Sequence, residues 1–186
     1  MALSLDFDSP NLREEILACT FSALRLDPAW CEHRLRPFAG RVHLAVMTGA
    51  YLGHIFEGKK TIESRFSNTQ RPPYQRVQSG DVIFFKISGG PIVGISAVSD
   101  AWFYRLDTLS WSIIRREFVK DICAEPSFWT RHESSVYASL MRLQDARPIP
   151  PILVSKRDRR PWVILGDEED PFSENLESSD SRDRQN

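Results

Sequence analysis

The feature that most constrains the fold of this chain is a pair of apolar segments joined by two glycines. Residues 81–88 read Asp-Val-Ile-Phe-Phe-Lys-Ile-Ser, Gly89 and Gly90 follow, and residues 91–98 read Pro-Ile-Val-Gly-Ile-Ser-Ala-Val. A Gly-Gly pair adopts the backbone angles of a two-residue turn between antiparallel strands without steric cost. The pattern therefore predicts a β-hairpin whose second strand is extended by the aromatic stretch 102–104, and a fold built around a sheet.

Patterns elsewhere predict further short strands and a few helices. The predicted strands cover 41–47, 61–66, 137–143, 148–154 and 161–165, and the predicted helices cover 9–26, 29–36, 48–57, 108–120 and 127–132. We expect 148–154 at a sheet edge, because its three prolines lack the N–H group that a central strand needs. We expect Thr108 to be an N-cap. Together the elements indicate an α+β fold, a small and partly open β-barrel with flanking helices.

The composition limits the class of protein. In 186 residues, 41% of them hydrophobic, no apolar run approaches the roughly 18 residues that a membrane-spanning helix needs. The first eight residues lack the basic start of a secretory signal. Cys19, Cys31 and Cys123 are scattered, which argues against a disulfide framework and a structural zinc site. We therefore expect a cytoplasmic protein with no membrane association, metal or cofactor.

The charge is distributed unevenly, and this suggests three parts. Residues 167–186 hold eight acidic and two basic residues, so the rest of the chain holds 17 acidic and 22 basic residues. We expect an N-terminal helical accessory segment (1–40) that packs on the barrel or on a partner, the barrel domain (41–166), and a disordered acidic tail (167–186). A basic body is compatible with a nucleic-acid partner.

A charged motif lies where the helix 48–57 meets the following strand. Residues 58–65 read Gly-Lys-Lys-Thr-Ile-Glu-Ser-Arg. Gly58 is suited to end the helix, and Glu63 and Arg65 fall on one face of the strand, with Lys60 at the joint. Two interpretations are open: a surface ion pair of small energetic value, or a polar cluster at the mouth of a cleft.

The motif and its neighbours together resemble the ASCH domain family, a branch of the PUA-like superfamily. The resemblance rests on Gly58-x-Lys60-x-x-Glu63-x-Arg65, on Ser79-Gly80-Asp81 before the hairpin, and on Arg159-Arg160-Pro161-Trp162-Val163-Ile164-Leu165, and it spans Val42 to Leu165. It implies a PUA-like β-barrel of about five or six strands with helices at its mouth. It also implies a cleft, lined by Lys60, Glu63 and Arg65, that binds RNA or another nucleic acid.

Binding of RNA or a nucleotide-like ligand is therefore the leading functional hypothesis. Lys60 and Arg65 would contact phosphates, with Glu63 fixing their side chains. Arg159 and Arg160 would extend the positive surface. The polar loop 67–80 is long enough to be a binding loop, and within it Tyr74 is a candidate for stacking on a base. Tyr104 and Trp102 are further stacking candidates, although packing in the core or at the rim is favoured for Trp102.

The sequence leaves two other functions open and disfavours a third. A metal-independent ribonuclease would use His54 as base and Lys60 to stabilise charge, assisted by Ser155 or Arg160. A protein-interaction module would bind its partner through the N-terminal helices. Some ASCH relatives are amidohydrolases with a nucleophilic threonine three residues after the motif lysine; because Glu63 occupies that position here, amidohydrolase activity is disfavoured.

Overall fold

The structure is a computed structural model that describes residues 3–24, 40–48, 50–155 and 159–166. The predicted helix 29–36, the acidic tail 167–186 and residues 156–158 lie outside the described residues. None of the helices in the described ranges is long and apolar enough to cross a membrane.

The described residues form seven strands and five helices. The strands are β1 (Leu3–Asp6), β2 (Val42–Met47), β3 (Ile62–Ser67), β4 (Val82–Ile87), β5 (Ile92–Arg105), β6 (Tyr137–Ser155) and β7 (Trp162–Leu165). The helices are α1 (Leu12–Leu24), α2 (Ala50–Phe56), α3 (Thr108–Glu117), α4 (Val119–Ile122) and α5 (Pro126–His132).

One mixed sheet contains all seven strands, in the order β1-β6-β5-β4-β2-β7, with β3 also paired to β6. The pairs β1–β6 and β2–β4 are parallel and the other ladders are antiparallel. Within the described ranges no ladder joins β7 back to β3 or β1. The predicted α+β class and partly open barrel are therefore confirmed.

The glycine turn forms the predicted hairpin. Gly89 has a φ of +70°, and the N–H of Gly90 donates to the carbonyl of Ile87, so that β4 and β5 pair antiparallel. β4 lies between two hydrophobic clusters: Phe84 packs with α1, β6 and β7, while Phe85 packs with α2 and β5. Because both faces of β4 are covered, its sequence is apolar except at Lys86 instead of alternating.

The prediction of an edge strand at 148–154 is correct only in part, because the segment belongs to a longer strand that is paired on both sides from Ile152. β6 runs unbroken through Pro148, Pro150 and Pro151, pairs with β5, and pairs with β1 from Ile152 onward. On the side away from β5, β6 pairs with β3 through Arg142 and with β1 only from Ile152, so the prolines lie between two ladders. Their missing N–H groups are tolerated there, and β1, four residues long, was too short to be recognised in the sequence.

Asp107, not the expected Thr108, caps α3. The carboxylate of Asp107 accepts the N–H of Ser110 at 2.7 Å, and the Ser110 hydroxyl accepts the N–H of Asp107 at 2.7 Å. A carboxylate is a stronger acceptor than a threonine hydroxyl at the positive end of a helix. The single helix predicted over 108–120 is also divided, because Phe118 leaves helical geometry (φ −119°, ψ −7°) before α4 begins.

The N-terminal residues pack on the same core as the barrel. Leu12, Ile16 and Leu17 of α1 are buried in the cluster that contains Phe84. The boundary expected near residue 40 adjoins the range 25–39, which is not described. The division into an accessory segment and a barrel therefore stays a prediction.

Candidate functional site

The charged motif is placed by the packing of α2 on the sheet. At Gly94 of β5, a Cβ atom would lie 2.4 Å from the ring of Phe56, so the close contact between α2 and β5 depends on the absence of a side chain. After the helix, Gly58 has a φ of +71°, and the N–H groups of Lys59 and Lys60 both donate to the carbonyl of His54 at 2.9 Å. This turn brings Lys60 to the start of β3.

Lys60 is buried and fully engaged with protein atoms. Its Nζ donates to the carbonyls of Ile62 (2.7 Å) and Ile122 (3.1 Å) and lies 3.5 Å from Oε2 of Glu63. Burial lowers the pKa of Lys60, and the neighbouring carboxylate of Glu63 opposes that shift. Its three N–H groups thus have three acceptors, which tie β3 to the end of α4.

Arg65 is likewise held by several partners. Its Nε donates to Oε1 of Glu63 at 2.8 Å, and its other nitrogens donate to the carbonyls of Val46 (3.1 Å) and Pro161 (3.4 Å). Its guanidinium carbon lies 5.3 Å from the ring centroid of Trp162. Arg65 therefore connects β3 with β2 and with the start of β7, across the side of the barrel where no ladder forms.

The prediction from spacing that Lys60, Glu63 and Arg65 lie close together is correct, but these residues are not surface groups. The side chains of Lys60 and Glu63 are each 4% exposed and that of Arg65 is 20% exposed. All three line the inner part of a cleft with a volume of about 620 Å³, a size typical of small-molecule sites. Their ion pairs order this wall of the cleft.

Three arginines complete the charge of the cleft, and of these only Arg159 was predicted from the sequence. Arg71, Arg131 and Arg159 line it and are exposed to solvent. With Lys60 and Arg65, they make five cationic side chains, and Glu63 is the only carboxylate among the described lining residues. Such an excess of positive charge in a concave surface attracts anions.

Six rings also line the cleft: Tyr51, Phe66, Tyr74, Phe128, His132 and Trp162. The His132 ring packs on Phe66 (5.3 Å between centroids) and Phe128 (4.6 Å). Burial and the nearby charge of Arg131 lower the pKa of His132, which favours a neutral imidazole. All of these rings except the buried Trp162 are partly exposed, and partly exposed rings beside cations are the groups on which unpaired bases stack.

Trp162 is anchored from behind by a buried polar network. Its Nε1 donates to Nδ1 of His43 at 3.2 Å, and Nε2 of His43 lies 3.0 Å from Oδ2 of Asp81. Because Nδ1 accepts from the indole, the imidazole proton is on Nε2 and is donated to Asp81. The backbone N–H groups of Arg41 and Gln78 also donate to Asp81, both at 2.8 Å. Two separated segments of the resemblance, around Asp81 and Trp162, therefore meet here.

The remaining predicted site residues lie in different places. Tyr74 and Arg159 line the cleft, whereas Ser155 and Arg160 line a neighbouring pocket and His54 lines neither. Trp102 packs against Phe118 with ring centroids 5.0 Å apart, within the cluster under α3–α5. Tyr104 packs in that same cluster, outside the cleft.

Tertiary structure explains which residues the sequence analysis missed. Arg131 and His132 lie on α5 and reach the cleft only because α5 packs beside β3. Arg71 belongs to the polar loop that was predicted to bind, and its position before two prolines was the one local signal available. Tyr51 lies on α2, three residues before the predicted base His54. Tyr51 lines the cleft, whereas His54 does not.

The comparisons with known proteins bear on the fold. No family model and no curated protein matches this chain. A serine-to-alanine variant of the ASCH protein from Zymomonas mobilis aligns with a TM-score of 0.53 at 16% identity, over 67% of this chain and 87% of that one. The unaltered Zymomonas mobilis ASCH protein aligns with a TM-score of 0.48 at 16% identity, over 60% and 73%. The alignment with a TM-score of 0.53 confirms the resemblance to ASCH domains as a likeness of fold.

Proposed function

We propose that this chain, with its ASCH-like fold, binds single-stranded RNA or a nucleotide-like ligand in the cleft between α2, α5 and β3. The observation that carries the proposal is the lining of the cleft, in which five cationic side chains and six rings surround a single carboxylate. Cations supply affinity for phosphates without sequence preference, and rings accept unpaired bases.

The contacts of each cation suggest a division of roles. Lys60 and Arg65 are held by Glu63 and by backbone carbonyls, so they fix the shape of the inner wall and contribute charge. Arg71, Arg131 and Arg159 are exposed and are the groups that reach phosphates. In the described part of the chain, neither Arg131 nor Arg159 forms an ion pair with a carboxylate, which leaves both guanidinium groups available.

Catalysis receives less support from the geometry. His54 and Ser155 do not line the cleft, so the ribonuclease hypothesis lacks its base and its assisting hydroxyl beside Lys60. The amidohydrolase hypothesis needs a hydroxyl in reach of Lys60, but Lys60 Nζ is directed to the carbonyls of Ile62 and Ile122 and to Glu63. We therefore propose binding and not a reaction.

The test is a double variant of two exposed arginines in the cleft. Arg71→Gln with Arg131→Gln is expected to weaken the binding of a single-stranded RNA oligonucleotide about tenfold near 0.15 M salt. Each phosphate contact on a single strand contributes about 0.7 to the slope of log affinity against log salt, so the slope should fall by roughly 1.4.

The matched control removes the same charge elsewhere. Arg105→Gln with Arg116→Gln alters two exposed arginines that do not line the cleft. Fluorescence anisotropy titrations of both double variants and the unaltered protein give the comparison, with circular dichroism as the check of folding. Equal losses in the two double variants, or no loss in either, would refute the proposal.

A further inference from the structure

We propose that a second pocket beside the Gly89-Gly90 turn holds further phosphates of the strand bound in the cleft, so that the ligand is an oligonucleotide and not a mononucleotide. This inference rests on the proposed function and specifies its ligand. The reasons are the charge of the second pocket, its shared wall with the cleft, and the hydroxyl groups at its rim.

The second pocket is a basic concavity of about 540 Å³. It is formed by the β4–β5 turn, the last residues of β6, the start of β1 and the residues before β7. Lys86, Arg159 and Arg160 line it, and the described lining residues include no carboxylate. The charge of the second pocket is therefore positive, like that of the cleft.

The two concavities are neighbours and share part of one wall. Val46, Ser88 and Arg159 line both of them. A nucleic-acid strand that leaves the cleft along this wall passes the exposed guanidinium of Arg159 and enters a second region of positive charge. Successive phosphates of a single strand need such a series of cations, whereas one nucleotide is accommodated by the cleft alone.

The groups of the second pocket are suited to a phosphate backbone more than to a base. Lys86 is 5% exposed and donates to the carbonyls of Gly90 and Ile87, so it stabilises the turn and supplies charge from below. The side chains of Ser4, Ser88 and Ser155 are exposed at the pocket and offer hydroxyl donors. Its described lining contains no aromatic ring, in contrast to the cleft. We infer that the bases stack in the cleft while the backbone continues into the second pocket.

The experiment measures affinity against ligand length. A mononucleotide and single-stranded RNA oligonucleotides of increasing length up to about ten nucleotides are titrated into the unaltered protein and into two charge variants. Ser155→Asp places a negative charge in the second pocket, and Ser112→Asp places the same charge on an exposed site of α3 that lines neither concavity. Ser4→Asp, on β1, repeats the test should Ser155→Asp fail to fold.

Affinity of the unaltered protein is expected to rise at least tenfold from the mononucleotide to the longer oligonucleotides. Ser155→Asp should remove most of that gain and leave the mononucleotide affinity within about twofold, while Ser112→Asp changes neither. Equal affinity at all lengths, or equal effects of the two variants, would overturn the second pocket while leaving the cleft in place. Absence of binding at every length would instead overturn the proposed function itself.

Discussion

Arg65 joins three strands through one guanidinium group. It contacts Glu63 on its own strand, Val46 on β2 and Pro161 at the start of β7. A planar group with five donors makes these contacts at once, but a lysine ammonium on a flexible chain does not. We therefore expect Arg65 to contribute more to the stability of the fold than to the binding of an anionic ligand.

The substitution Arg65→Lys tests this role. We expect the free energy of unfolding to fall by about 2 kcal/mol, because Glu63 and two carbonyls lose donors in a partly buried setting. Arg71→Lys, at an exposed position in the same cleft, serves as control and should leave stability unchanged within error. Urea denaturation measures both, and similar stabilities for the two variants would contradict the assigned role.

At the residue scale, only local spacing was predictable. Lys60, Glu63 and Arg65 lie within six positions across a turn and a strand, so their proximity followed from the period of a strand. His43, Asp81 and Trp162 are separated by up to 119 positions, yet they form one buried network. Nothing in the neighbouring sequence indicates that partnership, because it depends on how β2, β4 and β7 come together.

At the element scale, α2 contains one glycine and is followed by a second, and the two have opposite conformational requirements. Gly53 lies within the helix, and Gly58 follows it with a φ of +71°. A Cβ atom at either position would meet no atom within 4 Å, so the effects of substitution come from the backbone alone. Helical geometry favours alanine over glycine, whereas a positive φ disfavours it.

Alanine at these two positions should therefore have opposite effects. Gly53→Ala is expected to raise the free energy of unfolding by about 0.5–1 kcal/mol, and Gly58→Ala to lower it by about 1 kcal/mol. Thermal or urea denaturation of the two single variants gives the comparison. Effects of the same sign would show that α2 does not end where the structure places its end.

Elements with strong local signals were predicted well, and those that depend on neighbours were not. The hairpin of β4 and β5 followed from two glycines between apolar runs. β6 was divided in the prediction because its three prolines argue against a ladder. The 19-residue strand tolerates these prolines because they lie between its ladder with β3 and its ladder with β1, and the sequence does not show where those two ladders lie.

At the scale of the whole molecule, the N-terminal residues contribute to the main core. Leu12, Ile16 and Leu17 pack around β4 and β7, and β1 adds a parallel strand to β6. Burial of three such side chains contributes about 5–9 kcal/mol, which is comparable to the whole stability of a typical domain, about 5–15 kcal/mol.

A chain that begins at residue 40 is therefore expected to lose its cooperative unfolding transition. The accessory interpretation of residues 1–40 instead expects the shortened protein to unfold near the temperature of the full chain. Differential scanning calorimetry of both chains decides between them. If the shortened chain kept its cooperative transition, α1 and β1 would have to be regarded as dispensable for folding.

Contact between a nucleic-acid strand and the exposed rim of one basic cleft can be mapped residue by residue in solution. Titration of the isotope-labelled protein with a single-stranded RNA oligonucleotide, followed by NMR, reports the affected residues. We expect the largest shift changes to fall on Arg71, Tyr74, Arg131 and His132 and to extend past Arg159. Shift changes confined to another face of the barrel, with those residues unaffected, would contradict this expectation.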